Sequence, residues 1–205
     1  MSILIDVERR RERPALGNIE FRAAAGGEAR LGGYAATFNS PTMIGGYFRE
    51  QIAPGAFTAS IARDDIRMLY NHDANFLLGR TASGTLMLSE DAAGLRFDLI
   101  PPNTGAGRDT IESVKRGDLG GCSFAFQSVR ESWDDSGDMP VRTLLQVDLM
   151  ETSICVWPAY LDTSVGLRST KTNSPFRETP PAAVIAAMQR MKAGLIQREH
   201  NRVIH

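Results

Sequence analysis

From Ile19 to Leu167 the sequence is divided into short apolar runs by Gly, Pro and Asp, and this punctuation decides most of what the chain can become. The runs are Ile19–Ala23, Leu31–Phe38, Ile66–Tyr70, Thr85–Ser89, Leu95–Ile100, Cys122–Glu131, Val141–Met150 and Thr152–Trp157. Stretches this short, rich in apolar and β-branched residues, read as strands rather than helices. A series of them in one domain favours a β-barrel or sandwich. Two helical stretches interrupt the series. Gly55 to Arg63 follows IAPG, and Gly107 to Arg116 sets Ile111 and Val114 on one face before Gly117 closes the helix. Arg49, Glu50 and the acidic segment WDDSGDMP are expected in solvent. With 205 residues, 42% of them hydrophobic, there is room for one ordinary globular domain plus tails, and two large domains are excluded.

The formal net charge of -1 excludes a chain that works mainly by coating nucleic acid, because phosphate binding needs a strongly basic surface. Charge is nevertheless unevenly placed. Residues 170–205 hold six Lys/Arg and two Glu, a net of +4, which leaves -5 for residues 1–169. Composition shifts at the same point, where STKTNSPFRETPP reads as a polar, proline-bearing linker. Beyond it, Val184, Ile185, Met188, Met191 and Leu195 fall at helical spacing within Ala182–Gln197. Three segments are therefore expected: an extension over 1–18, a globular domain over 19–169, and a basic linker with a tail helix over 170–205. The opening MSILIDVERRRER places its arginines after a short apolar run, the wrong order for a secretory signal. No stretch approaches the ~20 apolar residues of a membrane span, so a cytosolic chain with no membrane partner is expected.

Both cysteines, Cys122 in GGCSFAF and Cys155 in TSICVWPAY, sit in apolar runs where a small buried thiol is the common outcome. The three histidines are His72, His200 and His205, the last two close to the C-terminus. One internal His and two distant Cys do not make a zinc site, so no metal or cofactor is expected.

Chemistry that needs an imidazole thus has one internal candidate. In RMLYNHDANFLLGRT a strand runs into a polar turn at His72, which suits a general base facing a cleft, or equally a turn histidine bonded locally. A second feature is Gly117-Asp118-Leu119-Gly120-Gly121-Cys122-Ser123-Phe124-Ala125-Phe126. Strand alternation turns Cys122, Phe124 and Phe126 to one side and Ser123 with Ala125 to the other. Small neighbours leave Ser123 room for a substrate carbonyl, and N–H groups near Gly121 to Ser123 could receive an oxyanion. The same residues also fit a plain glycine turn before a core strand. Third, the apolar segment LLQVDLMETSICVWPAY carries Asp148 and Glu151. Either could orient His72. On a regular strand residues three apart point to opposite faces, so only one can, and alternation does not choose between them. The order His, Ser, acid differs from the chymotrypsin, subtilisin and α/β-hydrolase orders, and no Gly-x-Ser-x-Gly elbow is present.

Six blocks give a sharper indication: GYAATFN (33–39), FREQIAPGAF (48–57), LYNHDANFLLGRTASGTLML (69–88), GLRFDLIPP (94–102), GRDTIESVKRGDLGGCSFAF (107–126) and DLMETSICVWPAYLDTSV (148–165). In order and spacing they resemble the prohead maturation proteases of tailed phages, a family distantly similar to the herpesvirus capsid-maturation serine proteases. The resemblance, which covers roughly residues 30–168, implies a mainly β fold with helices (α+β), a herpesvirus-protease-like β-barrel flanked by a few helices, to which the spacing in 182–197 adds a helical C-terminal tail. It implies a serine endopeptidase with His72 of Asn71-His72-Asp73 and Ser123 as base and nucleophile. Cys122 and Ala125 stand where the family usually has Met and Gly. Glu151 is the third member it suggests, with Asp148 as the substitute. The implied substrates are the scaffolding protein or the scaffold-like segment of the phage major capsid protein, together with the protease's own ends. The implied place of action is the assembling procapsid in the host cytoplasm, where a homo-oligomer could form. The alternatives are an inactive protease-like scaffold or assembly protein, and a cysteine hydrolase using Cys122.

Overall fold

A computed structural model of the chain describes residues 19–23, 29–44, 46–156, 182 and 184–186. Its strands are β1 (Glu20–Ala23), β2 (Ala29–Thr37), β3 (Thr42–Ile44), β4 (Phe48–Ile52), β5 (Arg67–Tyr70), β6 (Asp73–Arg80), β7 (Leu86–Glu90), β8 (Gly94–Leu99), β9 (Gly121–Asp134) and β10 (Val141–Cys155). Two helices interrupt them, α1 (Thr58–Arg63) and α2 (Gly105–Arg116). The architecture is mainly β with few helices, as the runs between turn residues predict.

The strands form two sheets. One has the order β1-β2-β8-β7; the other runs β3-β4-β10-β5-β6, with β9 also on β10. Among the described residues no ladder joins the sheets, so the expected closed barrel is not seen. The chain crosses from the second sheet to the first between β6 and β7, edge strands of different sheets, through a turn in which Gly84 has φ 71°. The sheets meet instead through side chains, with Leu31, Leu95, Phe97 and Leu99 of the first packed in one core with Met68, Phe126, Leu149 and Ile154 of the second.

Strand β10 organises the second sheet. Its first half pairs in parallel with β4 (Val141 opposite Arg49), its last half in parallel with β5 (Glu151 opposite Arg67), and β9 runs antiparallel along its other edge. The expected break between Val141–Met150 and Thr152–Trp157 is therefore absent up to Cys155. A bulge replaces it. Leu149 faces Phe126 and Glu151 faces Ala125, so Met150 is an extra residue that lets one strand bend without ending. Main-chain groups left open between β4 and β5 are closed from the α1 side, where Val147 N–H donates to Ala56 O and Leu149 N–H to Ser60 Oγ.

Helix α2 is built as its sequence indicates. Thr104 Oγ1 accepts from Gly107 N–H at 3.3 Å, and Gly117 ends the helix at φ 77°, where a Cβ would be strained. Gly107 is required for another reason, since a Cβ there would meet Pro102 O at 1.9 Å.

Strands β3 and β4 lie outside the runs read as strands, and Glu50, expected in solvent, is not solvated. Its carboxylate accepts from Arg142 Nη1 at 2.7 Å, and Arg142 is 1% exposed. Arg142 also donates to Glu131, which accepts from Ser128 Oγ at 2.6 Å. Buried charge is tolerated here because each group has partners. Burial still pushes the Glu50 carboxyl above its ordinary value, outweighing the pull of Arg142. Of the expected tail helix only residues 182 and 184–186 are described; they are helical and Val184 is buried. The 1–18 extension, His200, His205 and the rest of the tail lie outside the described residues.

Candidate active site

Strands β5 and β6 form a hairpin in which Tyr70 pairs with Asp73 and the two-residue turn between them is Asn71-His72. Both turn residues are left-handed, with φ 51° and 59°. This is the backbone that a tight hairpin of right-twisted strands favours, and the one in which Asn-Gly is the usual occupant. A β-carbon in this region costs on the order of 1–2 kcal/mol. The surroundings hold it in place. Asn71 N–H donates to Ile154 O at 3.0 Å, Asn71 Oδ1 accepts from Val156 N–H at 3.0 Å, and His72 N–H donates to Ser153 Oγ at 3.0 Å. The turn is thus clamped to the end of β10, and the imidazole stands at a strand end as the sequence suggests.

The ring is held by an acid. His72 Nδ1 lies 2.5 Å from Glu151 Oε1, while Glu151 Oε2 accepts from Ser153 Oγ at 2.7 Å. The Glu151 side chain is 12% exposed and that of His72 34%, so Nε2 belongs to a partly open ring whose other nitrogen is engaged.

Ser123 lies on the same face. Directly opposed residues of an antiparallel pair project to one side of the sheet with Cβ atoms about 4.5–5.5 Å apart. Ser123 opposes Ser153 and Ala125 opposes Glu151, so all four share the face that His72 overhangs. The Ser123 hydroxyl is buried and has no hydrogen-bond partner among the described residues. An unpaired hydroxyl beside a hydrogen-bonded imidazole and carboxylate can perform nucleophilic chemistry on an acyl group. Ser153, which ties the acid to the backbone of the histidine, is the functional residue the sequence reading missed. Its place two residues after Glu151 on the same strand face was the available signal.

A family model of caudovirus prohead serine proteases matches residues 17–176. The chain belongs to that family. No curated protein and no solved structure matches it. For a prohead serine protease the environment of Cys122 follows expectation. It faces the core with Phe126, and burial raises its thiol pKa. Cys155, also buried, is pushed up to about 12. Neither is a ready thiolate.

The acids of the prohead protease need a correction. Because Met150 is extra, Asp148 (opposite Gln127) and Glu151 (opposite Ala125) fall on one face instead of two. What separates them is their partners. Asp148 is bound by Arg63 Nη2 at 2.7 Å, while Glu151 holds His72. Gly117 closes α2 in the left-handed region as expected, and Gly120 and Gly121 lead into β9 without positive φ. Finally, Ile154 O accepts from Asn71 N–H, so Ile154 turns its polar groups to β5, and Ser153 and Cys155 turn theirs to β9. The main-chain groups of Ser123 and Gly121, their ladder partners, are spent there. Only Cys122 between them points its N–H to the outer edge of β9.

Proposed function

We propose that the chain is a serine endopeptidase of phage head maturation in which Ser123, His72 and Glu151 form the catalytic triad. The observation that carries this reading is the Glu151–His72 hydrogen bond on the same sheet face as the unpartnered Ser123 hydroxyl. Ser123 Oγ attacks the peptide carbonyl, forming a C–O bond while its proton passes to His72 Nε2. Glu151 stabilises the resulting imidazolium through Nδ1–H. His72 then returns the proton to the leaving amine as the C–N bond breaks, and water, activated by the same ring, hydrolyses the acyl-enzyme. With the N–H groups of Ser123 and Gly121 in the ladder, the oxyanion falls to a donor on the outer edge of β9, of which Cys122 N–H is nearest in sequence. Each such donor contributes about 3 kcal/mol.

The substrates in this reading are the scaffold protein or scaffold-like segment of the major capsid protein, inside the procapsid in the host cytoplasm, and the protease's own ends. Self-processing is supported by sequence and position together: Val156 N–H is bonded to Asn71, next to His72, and a basic, proline-bearing segment follows in the sequence from Ser169. Polar segments of this composition are common cleavage sites. One observation favours the second reading, an inactive protease-like scaffold: Ser123 is 2% exposed, and a substrate must displace what covers it. Co-expression of the chain with its capsid protein separates the two. Ser123→Ala abolishes processing, read by mass spectrometry, if the proposal holds; processing that continues in that variant refutes it.

A further inference from the structure

At the end of the second sheet, next to the site, lies a cavity of about 180 Å³ lined by Tyr70, Phe76, Ala106, Asp109, Thr110 and Ser113. The hairpin that carries His72 forms one wall and α2, which leads into the Ser123 strand, forms the other. Tyr70 is two residues from His72, so their Cα atoms are at most about 7.6 Å apart. The sheet also stops at this row: β5 ends at Tyr70, β10 at Cys155, and β9 begins at Gly121. Tyr70 stands beside Ile154, on the other face of the sheet from Ser153 and Glu151, so the cavity and the catalytic face meet around the end of the sheet, past this row. A peptide advances about 3.3 Å per extended residue, so a carbonyl held at Ser123 puts side chains within two or three positions of it over the cavity mouth.

The lining defines what fits. Tyr70 and Phe76 meet edge to face, with centroids 6.4 Å apart, and Phe76 is 44% exposed, so its ring is open to the cavity side. They offer an apolar wall long enough for an alkyl stem. Thr110 Oγ1 is already used, donating to Ala106 O at 2.8 Å. Asp109, by contrast, is exposed and carries no ion pair or hydrogen bond among the described residues. An aromatic wall ending at a free carboxylate suits a side chain with an apolar stem and a cationic tip.

We infer that this cavity is the specificity subsite of the protease and takes a lysine or arginine side chain of the polypeptide substrate within three residues of the scissile bond. The inference rests on the proposed endopeptidase function. The sign of the charge agrees with the chain's own division, an acidic 1–169 and a basic 170–205 that offers Lys171 and Arg177 as internal occupants.

The test uses the full chain and has two readouts. Binding is measured by amide chemical-shift changes in the Ser123→Ala chain titrated with N-acetyl-lysine amide and with N-acetyl-norleucine amide, which has the same stem without the charge. The lysine amide is expected to shift Phe76, Asp109 and Ser113 and to bind roughly three- to five-fold tighter than the norleucine amide, the scale of a partly exposed ion pair. Asp109→Asn should bring that ratio to about one. Cleavage is measured on a mixed peptide library, where Lys and Arg should be enriched near the cut by the active chain and lose that enrichment in Asp109→Asn. Equal binding of the two amides, no shifts at the cavity, or an enrichment unchanged by Asp109→Asn overturns the inference. Lysine-selective binding in a chain that cuts nothing overturns the endopeptidase reading and leaves a basic-peptide site.

Discussion

Replacing Ser153 by alanine isolates the device that holds the acid and the base together. Its hydroxyl is fully buried, donates to Glu151 Oε2 at 2.7 Å and accepts from His72 N–H at 3.0 Å. The bond to the main chain is a neutral one, contributing about 1 kcal/mol. The bond to the carboxylate is charge-assisted, about 1.5–3 kcal/mol, and the 12% exposure of Glu151 lets water recover part of it. The net loss is about 2–3 kcal/mol. If it falls on the orientation of the Glu151–His72 pair in the transition state, kcat drops roughly 30- to 150-fold. KM stays unchanged, because the Ser153 hydroxyl is taken up by Glu151 Oε2 and His72 N–H and acts on the substrate only through them. The assay is steady-state cleavage of a peptide spanning the mapped processing site, with urea unfolding measured in parallel to separate fold from chemistry. Ser153→Cys, nearly isosteric and a weaker hydrogen-bonding group, should fall between wild type and Ser153→Ala. An alanine variant with wild-type kcat, or one whose loss lies entirely in KM, refutes the assignment of Ser153 as a positioning residue.

Deleting Met150 should keep Asp148 and Glu151 on one face, because Leu149 opposite Phe126 is then followed directly by Glu151 opposite Ala125, so hydrogen exchange should show the β9–β10 ladder intact, and Met150→Ala, at a side chain 55% exposed, should stay within about 0.5 kcal/mol of wild type by thermal unfolding. Iodoacetamide should label neither Cys122 nor Cys155 in the folded chain at neutral pH, and Cys122→Ala should leave cleavage within a few-fold of wild type; mass spectrometry of native and denatured samples checks both. Asp65 is held at about 2, below its ordinary 3.8, chiefly by the bond from Arg80 and further by Ala82 N–H. Its contribution to the β5–β6 hairpin is present above pH 3.8 and lost as pH falls toward 2, so Asp65→Asn should flatten the acid limb of a urea midpoint against pH profile.

Much of this was legible in the sequence because alternation on a strand is a strict rule. It correctly turned Cys122, Phe124 and Phe126 away from Ser123 and Ala125, and it put His72 at a strand end. The same rule failed over Asp148 and Glu151, since a bulge inserts half a period and no residue type announces one; Met150 looks like any apolar strand residue. The short edge strand Thr42–Ile44 and its partner Phe48–Ile52 carry polar residues at half their positions and do not stand out as apolar runs. Glu50 was misread for a related reason, because its burial depends on Arg142, which is 92 residues away in the chain. Closure of the barrel was beyond pattern reading altogether. It depends on which edge strands pair across the two sheets, and the pattern within β6 or β7 does not state that each ends as the edge of a separate sheet.

The Asn71-His72 turn has one more consequence, for descent. The two left-handed positions ask for Asn-Gly, and the chain satisfies only the first. Histidine at the second is therefore an imidazole maintained against the local preference of the backbone. Once selection for cleavage is relaxed, His72→Gly is a single replacement that removes the strain, worth on the order of 1–2 kcal/mol, and keeps the hairpin. If His72 is the base proposed above, relatives of this chain that no longer cleave should carry Asn-Gly at this turn, a marker of lost activity readable from sequence alone.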